Sequence, residues 1–301
     1  QGPVGPPLQN AFSDLIARND PYGFARSYPF NVAPVTDNSP FLFFTLKTRQ
    51  VLKQAATGRK GIDWKVNLGV VILLLVLLIS IAAVLAFLIL PLVFRRSRVR
   101  PPALPLAYFV AIGLGYMLVE ITFIQRLVLF LGNPTYAITV VIFLLLLSSS
   151  AGSWASQRWF TRFTQVKFLL AAIVAALLIE VAVLPRLLTA LVGLPFALKL
   201  AVSAIVLVPI GFAMGTPFPN GLRQLTRGKR DETASGAEQK GPEGAEGIEW
   251  AWAMNAGSSV LGSVLAMVIA VHLGLAITLA CGAAAYLAAL ILTPAFPALK
   301  G

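Results

Sequence analysis

The chain has 301 residues, of which 57% are hydrophobic and only 12% are charged, and its mean hydropathy is +0.81. Soluble domains carry about 25% charged residues, so this composition excludes an ordinary soluble domain and indicates a membrane protein. The net charge of +12 lies mostly in Lys and Arg beside apolar runs. That placement is typical of topology signals and of contact with anionic lipid headgroups, and we expect no nucleic-acid partner.

Residues 1–66 precede the first long apolar run and contain turn-forming sequence such as GPVGPP, NDPYGF and TDNSP. A segment this short and irregular cannot bury a sizeable core by itself. The sequence begins at Gln1 rather than Met, and no signal-peptide pattern follows. We therefore expect 1–66 to be an extramembrane segment, the trailing edge and linker of a soluble domain that precedes it.

Within 67–293 the sequence contains about seven apolar runs, each close to the ~20 residues that a helix needs to cross a bilayer. It therefore predicts an all-α fold, a polytopic transmembrane helix bundle. In the second run, residues 121–133 either extend the helix or re-enter the membrane. The last two runs are joined at His272-Leu273-Gly274, which predicts a tight helical hairpin. The predicted spans are 67–94, 104–124, 134–154, 168–184, 196–217, 250–272 and 273–292.

The stretch 220–249 separates the fifth and sixth spans and contains RGKRDETASGAEQKGPEGAEG. Its polar, Gly-rich composition predicts a flexible loop. Lys and Arg near the span ends are somewhat more numerous on the side of this loop, which favours a cytoplasmic loop and an external 1–66.

Two ionisable residues, Glu120 and Arg126, lie in the second apolar region. A carboxylate at membrane depth suggests a functional site by default. Six positions on a helix are ~9 Å apart along the axis and ~120° apart around it, so a straight helix cannot pair these two residues. Either the helix breaks near 122–125, or each residue finds a partner on another helix. A buried polar clamp is favoured over a proton or substrate site, and Arg126 alone is interpreted as an interfacial residue that extends to the headgroups.

Other polar and helix-breaking residues give weaker signals. Glu180 lies near the end of its run and is interpreted as an interfacial carboxylate, while Asn255 is interpreted as an interhelical hydrogen-bonding residue. Gly211 and Gly215 have the GxxxG spacing that permits close helix approach, and Pro209 frees a backbone carbonyl. A kinked helix end is favoured here over the broken helix of a transporter site. The sequence contains no nucleotide-binding, zinc-protease or serine-hydrolase motif, so we predict no catalytic residue, metal site or cofactor in this chain.

The stretch VEITFIQRLVLFLGNPTYAITVVIFLLLLSSSAGS resembles the membrane segments of bacterial spermidine synthase-like membrane proteins. In that family an aminopropyltransferase or methyltransferase-like domain is fused to polytopic helices. Three further stretches are similar in the same order: PVTDNSPFLFF at 34–44, PIGFAMGTPFPNGLRQL at 209–225 and WAWAMNAGSSVLGSVLA at 250–266. The first is similar to the family's linker motif but departs from its paired acids, since Asn38 follows Asp37.

The resemblance implies that this chain is the C-terminal membrane portion of such a protein, in the cytoplasmic membrane of a bacterium. The nucleoside-binding catalytic domain would lie upstream, which implies a cytoplasmic 1–66 and contradicts the charge count, so the orientation stays open. Two functions follow from the resemblance and from the membrane carboxylate. The chain either anchors or serves the upstream transferase domain, or it is a transporter-type module for a polyamine or another small cationic solute.

Overall fold

The computed structural model describes residues 13–17, 19–28, 32, 34–41, 68–86, 103–159, 163–234 and 243–295. The chain divides into two units, Gln1–Leu78 and Ile79–Gly301. Nearly all the described residues are helical and none of them lies in a strand. The predicted all-α fold is therefore confirmed.

The first unit contains a short helix at 13–17 and helix α1, Pro21–Ser27. Asp20 caps α1, because its Oδ1 accepts a hydrogen bond of 2.9 Å from the backbone N of Gly23. A turn follows, in which the backbone N of Ser39 donates to the carbonyl O of Thr36 at 2.9 Å. The prediction of an irregular 1–66 therefore holds for this turn but is wrong for α1.

Helix α2, Leu68–Val84, begins in the first unit and corresponds to the first predicted span. Its apolar part, Val71–Val84, is shorter than a full crossing. Residues 87–94, the rest of that predicted span, lie outside the described residues.

Six of the seven predicted spans are confirmed as helices that are long and apolar enough to cross a membrane. All six belong to the second unit. Its helices are α3, Ala103–Leu131; α4, Pro134–Arg158; α5, Phe163–Ala190; α6, Phe196–Met214; α7, Pro217–Ala234; α8, Glu243–Leu273; and α9, Leu275–Leu292, followed by a 3₁₀ turn at Thr293–Ala295.

Several predicted boundaries are wrong. Helix α3 continues without a break to Leu131, so residues 121–131 extend the helix and do not re-enter the membrane. Helix α5 runs through Pro185, where the span was expected to end, and reaches Ala190. A proline inside a transmembrane helix is tolerated when neighbouring groups satisfy the backbone that it frees.

The prediction of a flexible loop at 220–249 is also wrong over most of its length. Helix α7 extends to Ala234 and α8 begins at Glu243, which leaves only 235–242 outside the described residues. The composition of this stretch is polar, but Phe218, Leu222 and Leu225 recur at helical spacing and pack against the core. Packing of this apolar stripe against the core stabilises the first part of α7 as a helix.

Helix α3 lies at the centre of the second unit. Its most apolar window is 61% buried, against 22–39% for the other five spans, and it packs mainly against α8, α9 and α4. The other helices expose large apolar side chains such as Phe143, Phe168 and Ile205. In a membrane protein such faces contact lipid, so the polar groups near α3 are the ones enclosed by protein.

Two tight connections hold consecutive helices side by side. Between α3 and α4, Gly132 has a φ of 76°, and the Oδ1 of Asn133 caps α4 by accepting a 2.8 Å hydrogen bond from the backbone N of Thr135. Between α8 and α9 the only residue is Gly274, with a φ of 92°. A positive φ suits glycine, which lacks a Cβ. The predicted hairpin at 272–274 is thus confirmed.

Candidate functional site: a cleft around Glu120

A cleft of about 800 Å³ opens in the second unit, over α3 and between α4 and α8. The junction of α6 and α7 lines another side of it. Its volume lies within the roughly 300–1,000 Å³ of typical small-molecule sites. Glu120 is the only acidic or basic side chain among the described residues that line it.

The floor of the cleft is one face of α3, to which Gly113, Tyr116, Met117 and Glu120 contribute. These positions are three, four and seven residues apart and therefore share one side of a helix. Glu120 is half-buried, and its nearest polar neighbour on the helix, Tyr116, is close enough to interact with it electrostatically. Among the described residues, none donates a hydrogen bond to the Glu120 carboxylate.

One wall is α4, which presents Leu146, Ser149, Ser153 and Trp154 to the cleft. The Oγ of Ser149 donates a 3.2 Å hydrogen bond to the carbonyl O of Leu146 in its own helix. Ser149 also interacts with the Tyr116 side chain on the floor of the cleft. The α4 wall therefore presents hydroxyl groups, which can donate or accept hydrogen bonds, among apolar side chains.

The α3–α4 register places Glu120 level with the middle of α4. Tyr116 lies beside Ser149, and the two helices run in opposite directions through the short connection at 132–133. Glu120 is one turn further along α3, so it lies level with Leu146, one turn back along α4. Leu146 is the middle residue of α4, Pro134–Arg158.

The second wall is α8, through Trp252, Asn255 and Ser259. The backbone carbonyl of Asn255 accepts a hydrogen bond of 2.8 Å from the Oγ of Ser259. At Gly113 of α3 a Cβ atom would lie only 2.6 Å from that carbonyl oxygen and 2.8 Å from the Oδ1 of Asn255. Gly113 thus permits the close approach of α8, and Asn255, expected to act in helix packing, also faces the cleft.

Another side of the cleft is formed at a break between α6 and α7 at Gly215 and Thr216. The sequence favoured a kinked helix end leading into a loop here, but α6 continues through Pro209, ends at Met214 and is followed by α7 at Pro217. Side chains donate hydrogen bonds to carbonyls at the break. Thr216 Oγ1 donates to the Ala213 oxygen at 2.8 Å, and Asn220 Nδ2 donates to the Thr216 oxygen at 2.9 Å. The break is therefore a fixed feature rather than a frayed end.

Glycines hold α6 against the α4 wall. A Cβ at Gly215 would overlap the backbone oxygen of Ser149, a Cβ at Gly152 would overlap that of Phe212, and a Cβ at Gly211 would overlap the Ser148 hydroxyl. In lipid, where apolar side chains gain nothing by leaving the solvent, such close backbone contact is a main source of helix association. The position of the α4 wall therefore depends on these glycines.

Arg126 and Glu180 lie outside the cleft lining, and both differ from the sequence-based interpretation. Arg126 is 3% exposed rather than interfacial, and it interacts electrostatically with Glu180 on α5. Glu180 lies ten residues before the end of α5, and its Oε2 is buried without a hydrogen bond from the described residues. Because α5 continues past Pro185, the pair lies inside the bundle and not at its edge.

Of the residues singled out in the sequence, the structure brings Glu120, Asn255 and Gly215 together at the cleft. Pro209 and Gly211 are not part of its lining, and Asp37 is an exposed turn residue of the first unit. Sequence reasoning missed Tyr116, Trp252 and the α4 serines as lining residues. Tyr116 lies one turn before Glu120, so helical spacing from the carboxylate was the signal that could have found it.

Comparison with protein-family models, with curated proteins and with solved structures found no match for this chain. The described helices themselves define its class, an integral multi-pass membrane protein of the all-α type.

Proposed function

We propose that this chain is the membrane module of a spermidine synthase-like protein and that it receives a small organic cation in the Glu120 cleft. One observation carries the proposal. The three membrane stretches that carry the family resemblance all contribute to the cleft: the first supplies Glu120 and most of the α4 wall, 209–225 supplies the residues at the α6–α7 junction, and 250–266 supplies the second wall. Three resembling stretches that meet at one cleft support a binding function over an anchoring role alone.

The chemistry of the lining favours a positively charged solute. Glu120 supplies the one acidic group, hydroxyl groups of α4 supply polar contacts, and Trp252 and Phe218 are aromatic lining residues, a residue type that attracts cations. A carboxylate at the depth of the helix midpoint is costly to a membrane protein, and such residues mark substrate or ion pathways. The adjacent helix break is a further feature of transporter sites.

In this proposal the module lies in the cytoplasmic membrane of a bacterium and serves a nucleoside-dependent transferase domain upstream. The solute would be a polyamine or another small organic cation that this domain consumes or releases. If the chain were only an anchor, Glu120 would bind no solute, because an anchor needs no solute in the cleft.

The test is uptake of radiolabelled tetraethylammonium, whose fixed charge prevents free crossing of lipid, into vesicles that contain the purified chain. The vesicles are made of phosphatidylethanolamine and phosphatidylglycerol. We expect Glu120→Gln to reduce uptake to the level of empty vesicles. The control is Glu249→Gln, which removes an exposed carboxylate of α8 that is not part of the cleft lining and should leave uptake unchanged. Equal uptake by the parent and Glu120→Gln would refute the proposal and leave the anchoring role.

A further inference from the structure

The cleft also indicates how much charge its solute carries. We infer that the cleft selects an organic cation with a single positive charge and an apolar body, rather than a polycation. This inference rests on the proposed function, and it narrows the solute class that the family resemblance implies.

In the part of the chain that the structure describes, the lining of the cleft carries a single acidic group. One carboxylate, Glu120, can neutralise one ammonium group, and no second acidic side chain lines the cleft among the described residues. A second ammonium group at this depth would stay unneutralised, and an unpaired charge near the bilayer centre costs about 2.5–3.5 kcal/mol or more. The single carboxylate therefore discriminates against a second charge.

The distance from Glu120 to the rim of the cleft exceeds the length of a small dication. Gln157 marks the rim end of the α4 wall, eleven residues after Leu146, which is level with Glu120. Eleven residues of helix rise about 16 Å. That is longer than a six-carbon chain, so a dication of this length with one end at Glu120 cannot bring its other charge to the rim.

Two cations lie at the rim, against one exposed carboxylate, Glu249, one turn before Trp252 on α8. The guanidinium of Arg158 lies 4.5 Å from the ring centroid of Trp154, a residue of the cleft lining. Arg223 lies at the same level, because its Nη2 donates a 2.5 Å hydrogen bond to the carbonyl oxygen of Ser156. The two cations repel the outer end of a polycation, and Arg158 occupies an aromatic ring that could otherwise hold it.

The opening along the side of the cleft favours a solute with an apolar body. Leu146, Ser150 and Trp154 lie on one stripe of α4 and are exposed, so the cleft is open along the side of the bundle. Leu147, beside this opening, is 57% exposed, as expected of a side chain that contacts lipid. A solute with an apolar body can reach the cleft through the bilayer and avoid the positive rim, whereas a polycation cannot.

The experiment compares two fixed-charge probes of equal chain length, hexyltrimethylammonium with one charge and hexane-1,6-bis(trimethylammonium) with two. Binding is measured by isothermal titration calorimetry on the full chain in lipid nanodiscs, and the heat from empty nanodiscs is subtracted. We expect the singly charged probe to bind at least about tenfold more tightly, since roughly 1.4 kcal/mol corresponds to a factor of ten. Glu120→Gln should abolish this preference by weakening the singly charged probe by at least about tenfold.

The other possible results distinguish a failure of the single-charge inference from a failure of the proposed function. Tighter or equal binding of the doubly charged probe, lost in Glu120→Gln, would overturn the single-charge inference while supporting the proposed function. Absence of binding by both probes, or binding that Glu120→Gln leaves unchanged, would overturn both, because it would remove the cation from the Glu120 cleft.

Discussion

Glu120 and Arg126 lie six residues apart on α3, yet the fold treats the two ionisable groups differently. Arg126 is almost fully buried and interacts with Glu180 of the neighbouring helix α5. Glu120 is half-buried, faces a cleft and accepts no hydrogen bond from the described residues. The difference shows that an intramembrane charge can serve the bundle itself or remain accessible to a solute, and that sequence position alone does not separate the two roles.

The largest loss of stability is expected when Arg126 is removed. Arg126→Met leaves the partly buried carboxyl group of Glu180 without its cationic neighbour. We expect a loss of about 3 kcal/mol in the free energy of unfolding, because removal of the buried cation leaves the Glu180 carboxyl group without the positive charge that acts on it. Unfolding by SDS in mixed micelles measures the change.

The matched control for that experiment is the double variant Arg126→Met, Glu180→Met. It should be more stable than the sum of the two single losses implies, since residues that interact show non-additive effects. Strictly additive losses would contradict the pairing of Arg126 with Glu180.

The next largest effect concerns the α4 wall of the cleft. Gly152→Ala would place a Cβ against the backbone oxygen of Phe212 and force α4 away from α6. We expect a loss of about 2 kcal/mol from overpacking, measured as above. Gly193→Ala is the control, because a Cβ there meets no atom within 4 Å. Equal stabilities of the two variants would show that α4 and α6 are less closely packed than described.

A smaller effect is expected at the α3–α4 connection, which sets the register between Glu120 and the α4 serines. Asn133→Ala removes the side-chain oxygen that caps α4 at Thr135. The expected loss is about 1 kcal/mol, and Asn133→Ser should retain most of the stability because serine is also a good N-cap residue. Thermal unfolding in detergent compares the two variants, and a serine variant as unstable as the alanine variant would argue against the cap.

The smallest loss of stability is expected for Glu120 itself. Because Glu120→Gln removes no hydrogen bond or ion pair among the described residues and replaces an unpaired carboxylate by a neutral amide, we expect no loss in the free energy of unfolding. A loss as large as that of Arg126→Met would mean that Glu120 also belongs to the structural framework. The same SDS titration gives this value.

Much of the fold was predictable, because a bilayer requires long apolar helices and six such spans can be recognised from composition alone. The errors occurred where packing overrides local signals. Pro185 was expected to end a span but lies inside α5, and the polar 220–234 was expected to be a loop but forms part of α7 through the stripe at Phe218, Leu222 and Leu225.

The site was less predictable than the fold. Glu120 and Asn255 were singled out because polar residues in apolar runs are conspicuous, and both line the cleft. The cleft itself depends on contacts between helices that are distant in sequence, such as Gly113 against Asn255. The residue pattern of one helix does not show which face of a neighbouring helix it contacts. For the same reason, the electrostatic interaction of Arg126 with Glu180 could not be predicted from the sequence.

The most direct test of the difference between the two carboxyl groups measures binding and stability in the same pair of variants, Glu120→Gln and Glu180→Gln. Binding of hexyltrimethylammonium is measured by calorimetry, and the free energy of unfolding by SDS titration. We predict that Glu120→Gln weakens binding by at least about tenfold with unchanged stability, whereas Glu180→Gln lowers stability and retains binding. If Glu120→Gln instead retained binding, or lost stability as Glu180→Gln does, the assignment of a solute-binding role to Glu120 would be wrong.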